Sequence, residues 1–170
     1  MDDTKRSVGL GKTSLTSMPM ELPKRADRID RTSWSRDLKW AEIESLAAYM
    51  TPYRVAQGGF LFHEHAQEVF FCLLLEGNAD VVKEDSKRGR KVLRRFGPGQ
   101  AVGEMSLLDL RPRSASLIAA TRVEVLVFTR RDLDRLAKKE TALALRLVMK
   151  LARTVSERLR QTSGALVELL

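Results

Sequence analysis

Cysteine and histidine are nearly missing from this chain of 170 residues, which has one of the former and two of the latter. A single thiol, Cys72, excludes an internal disulfide. Its place in the apolar run Val69-Phe70-Phe71-Cys72-Leu73-Leu74-Leu75 predicts a buried, inert side chain. A chain without disulfides is expected in the reducing cytoplasm. His63 and His65 flank Glu64, with Glu68 nearby, but a firm metal site needs three or four convergent ligands, so none is assigned. No nucleophile has an evident base beside it, so no catalytic residue is assigned and the chain is expected not to be an enzyme. Apolar runs fall short of the roughly 18 residues of a membrane span, and the amino terminus lacks the apolar centre of a signal peptide. A soluble, unsecreted protein is expected. Aromatic residues are not interleaved with the basic clusters and no helix-turn-helix pattern follows, which argues against a DNA-binding domain. Gly9-Leu10-Gly11-Lys12-Thr13 fails as a phosphate loop, because Arg6 stands where that motif needs its first glycine.

Acidic residues are the scarcer charge: 30 Lys and Arg face 22 Asp and Glu, a formal net charge of +8 that favours an anionic ligand or partner. The cations crowd Lys83 to Arg95 and Arg130 to Arg160. The first cluster reads as a β-hairpin turning at Ser86 to Gly89, with its cations guarding a strand edge. The length suits one domain that buries a core without staples. Residues 1–32, polar and without sustained periodicity, predict a mobile tail or docking arm. From an N-cap at Ser33 or Ser35, the spacing of Trp40, Ile43, Leu46, Ala47 and Met50 predicts an amphipathic helix that ends at Thr51-Pro52.

Short apolar or alternating runs follow, at Phe60–Phe62, Val69–Leu75, Ala79–Lys83, Lys91–Phe96, Ser114–Ala119 and Val123–Phe128. Turn signals such as Gly58-Gly59 and Gly77-Asn78 separate them. The fold class predicted is mainly β with flanking α, an antiparallel β-barrel or jelly roll over 33–138. Thr129 and Asp132 resemble a capping box opening a short helix, and Thr141 caps a second over 139–170. On that second helix Leu145, Val148, Ala152, Val155, Leu159, Thr162, Leu166 and Leu169 form a coiled-coil seam, while Leu143, Leu147 and Leu151 form another face. Two apolar faces imply two partners, the barrel and a second copy in a parallel homodimer. The alternative is that the whole stripe packs within one chain.

The densest chemistry lies in Phe96 to Ser116, FGPGQAVGEMSLLDLRPRSAS. Gly97, Gly99 and Gly103 let the backbone approach a ligand closely. Glu104-Met105-Ser106-Leu107-Leu108 is about one helical turn, whose first N–H groups are free to face an anion. Arg113 supplies a fork of donors for two phosphate oxygens, and Glu104 suits a ribose hydroxyl.

This segment resembles the phosphate-binding cassette of the cyclic nucleotide-binding domain family. Gly103-Glu104, Leu107-Leu108 and Arg113-Ser114-Ala115-Ser116 match its Gly-Glu, apolar pair and Arg-small-Ala-small ending, with the acid-to-arginine spacing kept. Val102 stands where phenylalanine is common, and the family's glycine turn near His65 is absent. The resemblance implies that Glu104 and the Gly103 backbone hold the ribose 2′-hydroxyl. Arg113, the Ser114 N–H or hydroxyl and the Ser106 N–H would hold the cyclic phosphate, although a Ser114 hydroxyl would equally suit a guanine. Thr162-Ser163 resembles the pair that bacterial catabolite activators set against adenine, with a plain polar seam position as the alternative. The ligand-binding set is thus Gly103, Glu104, Met105, Ser106, Arg113, Ser114, Ala115, Thr162 and Ser163. No cofactor is expected beyond the ligand, cAMP or another cyclic nucleotide. The expected function is a sensor signalling by helix rearrangement to a separate partner, since the chain ends where a catabolite activator would continue into its DNA-binding domain. The rivals are a fold kept only as a dimerisation scaffold and a receptor for cGMP or a cyclic dinucleotide.

Overall fold

A computed structural model describes residues 13–85 and 89–167. Two antiparallel sheets form a jelly-roll-like body with helices on one side. In chain order the elements are β1 (Thr16–Ser17), α1 (Leu22–Asp30), a 3₁₀ turn (Ser33–Ser35), α2 (Trp40–Tyr49), β2 (Thr51–Val55), β3 (Phe60–Phe62), β4 (Phe70–Glu76), β5 (Ala79–Asp85) and β6 (Gly89–Phe96). β7 (Ala101–Val102), α3 (Glu104–Asp109), β8 (Ser116–Ala119), β9 (Val123–Thr129), α4 (Arg130–Lys139) and α5 (Thr141–Val167) complete it. One sheet runs β1-β2-β9-β4-β7 and the other β3-β8-β5-β6, so the expected barrel takes the form of two packed sheets.

The unbroken apolar run of β4 is explained by burial on both faces. Side chains alternate across a strand. Phe70, Cys72 and Leu74 therefore enter the core between the sheets with Val123, Val125 and Val127 of β9. Phe71 and Leu73 point the other way, into a helical layer with Leu126 and Phe128. From α5, Leu143, Leu147 and Leu151 complete that layer. Of the expected second stripe, Leu145 is 62% and Leu159 66% exposed, while Val148 packs against this layer.

The expectation of a tail through residue 32 is corrected where the chain is described. β1 pairs with β2, and Leu22–Asp30 is a helix whose Ala26 and Ile29 are fully buried. Arg25 of this helix donates to the Ala47 and Met50 carbonyls at the end of α2, at 3.1 and 2.7 Å, where a cation also meets the negative end of the helix dipole. The next helix begins later than expected. Ser35 spends its hydroxyl on the Asp30 and Thr32 carbonyls, while the Lys39 N–H donates to the Glu42 carboxylate and opens the helix at Trp40. Trp40 consequently stands half exposed, not in the core. The Thr129 and Asp132 capping box forms, with Asp132 N–H to Thr129 Oγ1 at 3.2 Å and Thr129 N–H to Asp132 Oδ2 at 3.0 Å. Thr141 does not cap; its hydroxyl donates to the Ala137 carbonyl. Gly9 to Lys12, Ser86 to Arg88 and Leu169, on which earlier expectations fall, lie outside the described residues.

Glu124 of β9 ties the amino-terminal helix to the sheet. Its buried carboxylate accepts from Arg28 at 3.1 Å, Arg122 at 3.3 Å and Arg54 at 3.4 Å. Burial pushes this carboxyl up, but the hydrogen bonds from Arg28 and Arg122 outweigh it and hold it below its ordinary range. A depressed folded-state value means that the contribution is present above the ordinary value of 4.5 and is lost as pH falls through the folded value. Glu124→Gln is expected to melt lower than the wild type at pH 7, with the gap closing as melts are repeated from pH 5 towards pH 3. A gap unchanged over that range would contradict the assignment.

Candidate functional site

The cassette is built at the point where β7 leaves its sheet. Gly103 sits at φ +90°, and a Cβ there would lie 2.8 Å from Arg113 Nη1, 3.0 Å from Phe62 Cε1 and 3.2 Å from the Phe70 carbonyl oxygen. Only glycine meets both demands, the left-handed backbone and the missing side chain. From this corner α3 starts with Glu104 and ends at Leu110, which is also left-handed, at φ +59°. Glu104, Ser106 and Leu107 face inward, whereas Met105 is half exposed.

Arg113 is only 4% exposed. Its Nη1 donates to the Gly103 carbonyl at 2.8 Å and to Ser106 Oγ at 2.6 Å, and its Nη2 donates to the Phe70 carbonyl at 2.8 Å. The guanidinium lies against the rings of Phe62 and Phe70, 4.1 and 4.4 Å from their centroids. It thus fastens the start of α3 to β4, a role the sequence did not announce. Burial pulls this guanidinium down to about 10, against the opposing pull of Cys72, Glu68 and Glu104, so it stays charged near neutral pH. Burial likewise pushes the Cys72 thiol up to about 12. An un-ionised thiol shut inside the sheets is a poor nucleophile.

Glu104 is 3% exposed and is reached from α5. Arg158 donates to Glu104 Oε1 and to the Ala101 carbonyl, each at 2.5 Å, while its guanidinium lies 4.7 Å from the Phe96 ring centroid. Arg158 is the functional candidate that sequence reasoning missed. Its only sequence signal was a cation one turn before Thr162-Ser163. The structure does not bring that pair to the cassette: both residues are exposed, and their hydroxyls donate to the Arg158 and Leu159 carbonyls of their own helix. Of the other expected residues, Ala115 is buried and Ser114 is exposed, its carbonyl accepting from Lys83 at 3.3 Å.

Two buried polar atoms of the cassette have no hydrogen-bond partner among the described residues, the carboxylate oxygen Glu104 Oε2 and the guanidinium Arg113 Nε. One is an acceptor without a donor and the other a donor without an acceptor. Buried groups of this kind are costly unless something completes them. Elsewhere around the site, Glu64 forms an ion pair with Lys83 at 3.4 Å, and the His63 ring stacks on Phe60. His65 takes φ +65°, so it makes the left-handed turn that a glycine would make more easily.

The model of the cyclic nucleotide-binding domain matches residues 53–140, from β2 to the end of α4. The chain is 29% identical over 116 residues to the cyclic AMP receptor protein of Thermus thermophilus, covering 68% of this chain and 54% of that protein. It is 34% identical over 99 residues to a cAMP-dependent protein kinase regulatory subunit of Aspergillus fumigatus, covering 58% of this chain and 23% of that one. It therefore spans about half or less of the length of these relatives. Among solved structures, a cyclic nucleotide-binding domain from Methylobacillus flagellatus shares the fold with a TM-score of 0.79 at 22% identity, over 92% of this chain and 90% of that one. With its matched span covering more than half of the sequence and containing the whole cassette, this chain belongs to the cyclic nucleotide-binding domain family.

Proposed function

We propose that the chain is a sensor of cAMP, seated on the cassette and read out through α5. The observation that carries this reading is the pair of unmatched atoms: Glu104 Oε2 lacks the donor a ribose hydroxyl would supply, and Arg113 Nε lacks the acceptor a phosphate oxygen would supply. The two relatives named for cAMP support the choice of base. The Gly103 backbone joins Glu104 on the ribose, Ser106, Ser114 and Ala115 frame the phosphate, and Met105 borders the site. The binding unit runs from α1 to α4, and α5 serves as lid and dimer helix. The proposed role is binding, not catalysis, in a cytoplasmic protein.

The output follows from Arg158. A ribose hydroxyl on Glu104 Oε2 shares the carboxylate that Arg158 holds through Oε1, and so couples ligand to the setting of α5. Ligand shifts the populations only so far as it binds one setting better than the other. The signal then passes to a protein partner. Calorimetric titration with cAMP and cGMP tests this. Binding of cAMP at micromolar or tighter affinity is expected, weakened about 10- to 150-fold in Glu104→Gln by loss of a charged acceptor. No heat and no thermal shift with either nucleotide would leave the scaffold reading in its place.

The homodimer rests on the outward side of α5, where Leu145, Met149 and Leu159 are 62%, 48% and 66% exposed. A second copy covering it would bring Thr162 and Ser163 near the partner's cassette. Leu145→Glu with Leu159→Glu is expected to sediment as a monomer while leaving the melting temperature of the fold nearly unchanged at low concentration. A wild type that is already monomeric at high micromolar concentration would overturn this assembly.

A further inference from the structure

A cavity lies beside Arg158, lined by Gly99, Gln100 and Ala101 ahead of the Gly103 corner. It occupies about 420 Å³ between the 3₁₀ turn, the turn joining β6 to β7, and α5. None of Gly103, Glu104, Ser106 and Arg113 lines it. Its volume falls within the range of about 300–1,000 Å³ common for small-molecule sites.

Cations outnumber carboxylates in the wall. Arg94, Lys150, Arg153 and Arg158 all line the cavity, against the carboxylates of Asp37 and Glu157. Lys150 is matched by Asp37, and Arg158 by Glu104. That leaves Arg94 and Arg153, which make no ion pair among the described residues, against Glu157 alone. The guanidinium of Arg94 lies over the same Phe96 ring as that of Arg158, at 5.1 and 4.7 Å from the centroid. One phenyl ring thus gathers two cations at the cavity wall, held by cation–π attraction with no carboxylate between them for Arg94. Lys150, Thr154, Glu157 and Gln161 repeat at spacings of four, three and four along α5, so a single face of the helix is turned to this space.

We propose that this cavity is a second ligand site, for a small compound bearing a phosphate or diphosphate group, and that Arg94 and Arg153 are its principal contacts. Guanidinium forks favour phosphate over a simple anion because each can engage two oxygens in one plane. Lys150 and Arg158 add charge from their existing pairs, and Gln161 offers a neutral amide at the edge. Trp34, which also lines the cavity, supplies an internal reporter.

The test uses the full chain and inorganic pyrophosphate, titrated by calorimetry at fixed ionic strength with sulfate as a control, and followed at the Trp34 indole N–H by NMR. Saturable binding at one site per chain is expected, with a shift at Trp34. Arg94→Gln and Arg153→Gln should each weaken it about 10-fold or more, as loss of a charge-assisted bond predicts. Both residues lie at the surface of the cavity, so each variant should melt like the wild type. Arg158 is left in place because it also holds Glu104. Binding should persist in saturating cAMP, and the Arg94 and Arg153 arms read the site whether or not cAMP binds. No saturable binding, equal binding by both variants, sulfate binding as well as pyrophosphate, or displacement of pyrophosphate by cAMP would each overturn the proposal.

Discussion

Arg113→Ala is expected to lower the stability of the fold by about 3–5 kcal/mol, before any question of ligand arises. The substitution strips the Gly103 and Phe70 carbonyls and the Ser106 hydroxyl of their donor and empties the space between two phenylalanine rings. Buried acceptors left unpaired are expensive, and a vacated core site adds a cavity cost. Urea unfolding followed by circular dichroism measures the loss; a midpoint within experimental error of the wild type would contradict the clamp. Because alanine mixes loss of fold with loss of ligand contact, Arg113→Lys separates the two. A lysine keeps the charge but cannot serve three acceptors at fork spacing. Once shown to be folded, this variant should bind cAMP about 10- to 150-fold more weakly, the equivalent of about 1.5–3 kcal/mol.

Gly103→Ala is expected to cost about 1–3 kcal/mol through the backbone alone, since its φ of +90° is one that L residues avoid. The added Cβ would also press on Arg113 Nη1 and the Phe62 ring. The side chain of Arg113 can yield, being the far end of a long chain, but the Phe70 carbonyl on the third side is fixed by the pairing of β4. Arg113 is thereby driven off its acceptors, so cAMP binding should fall at least as far as in Arg113→Lys. A Gly103→Ala protein that binds cAMP normally would contradict the close approach on which the cassette depends.

The cassette could be read from sequence because its chemistry is local. A left-handed glycine, an acid and an arginine lie within eleven residues of one another, and each residue type has few other reasons to stand in that order. The strands were legible for a similar reason, since apolar runs bounded by glycine and asparagine carry their own boundaries. What escaped was decided in three dimensions. A phosphate-facing arginine and a backbone clamp are written with the same letter, and only the meeting of Phe62 and Phe70 from two different sheets shows that Arg113 is both buried and tied. Arg158 lies 54 residues from Glu104, on a helix whose repeating leucines drew attention to its seam and not to its cations. The helix at Leu22–Asp30 was hidden by composition: a proline at its start and charges around Ala26 and Ile29 leave too few apolar positions to show a period. It is held by Arg25 and Arg28 as much as by those two side chains.

The central claim is that cAMP completes the unmatched atoms of the cassette, and it is tested most directly at Arg113 Nε. A buried guanidinium N–H exchanges slowly enough to be followed by ¹⁵N NMR. As cAMP is added, that resonance should move downfield and saturate together with the calorimetric isotherm, as a phosphate oxygen becomes its acceptor. Saturable cAMP binding that leaves the Arg113 Nε–H signal in place would put the ligand elsewhere and contradict the account.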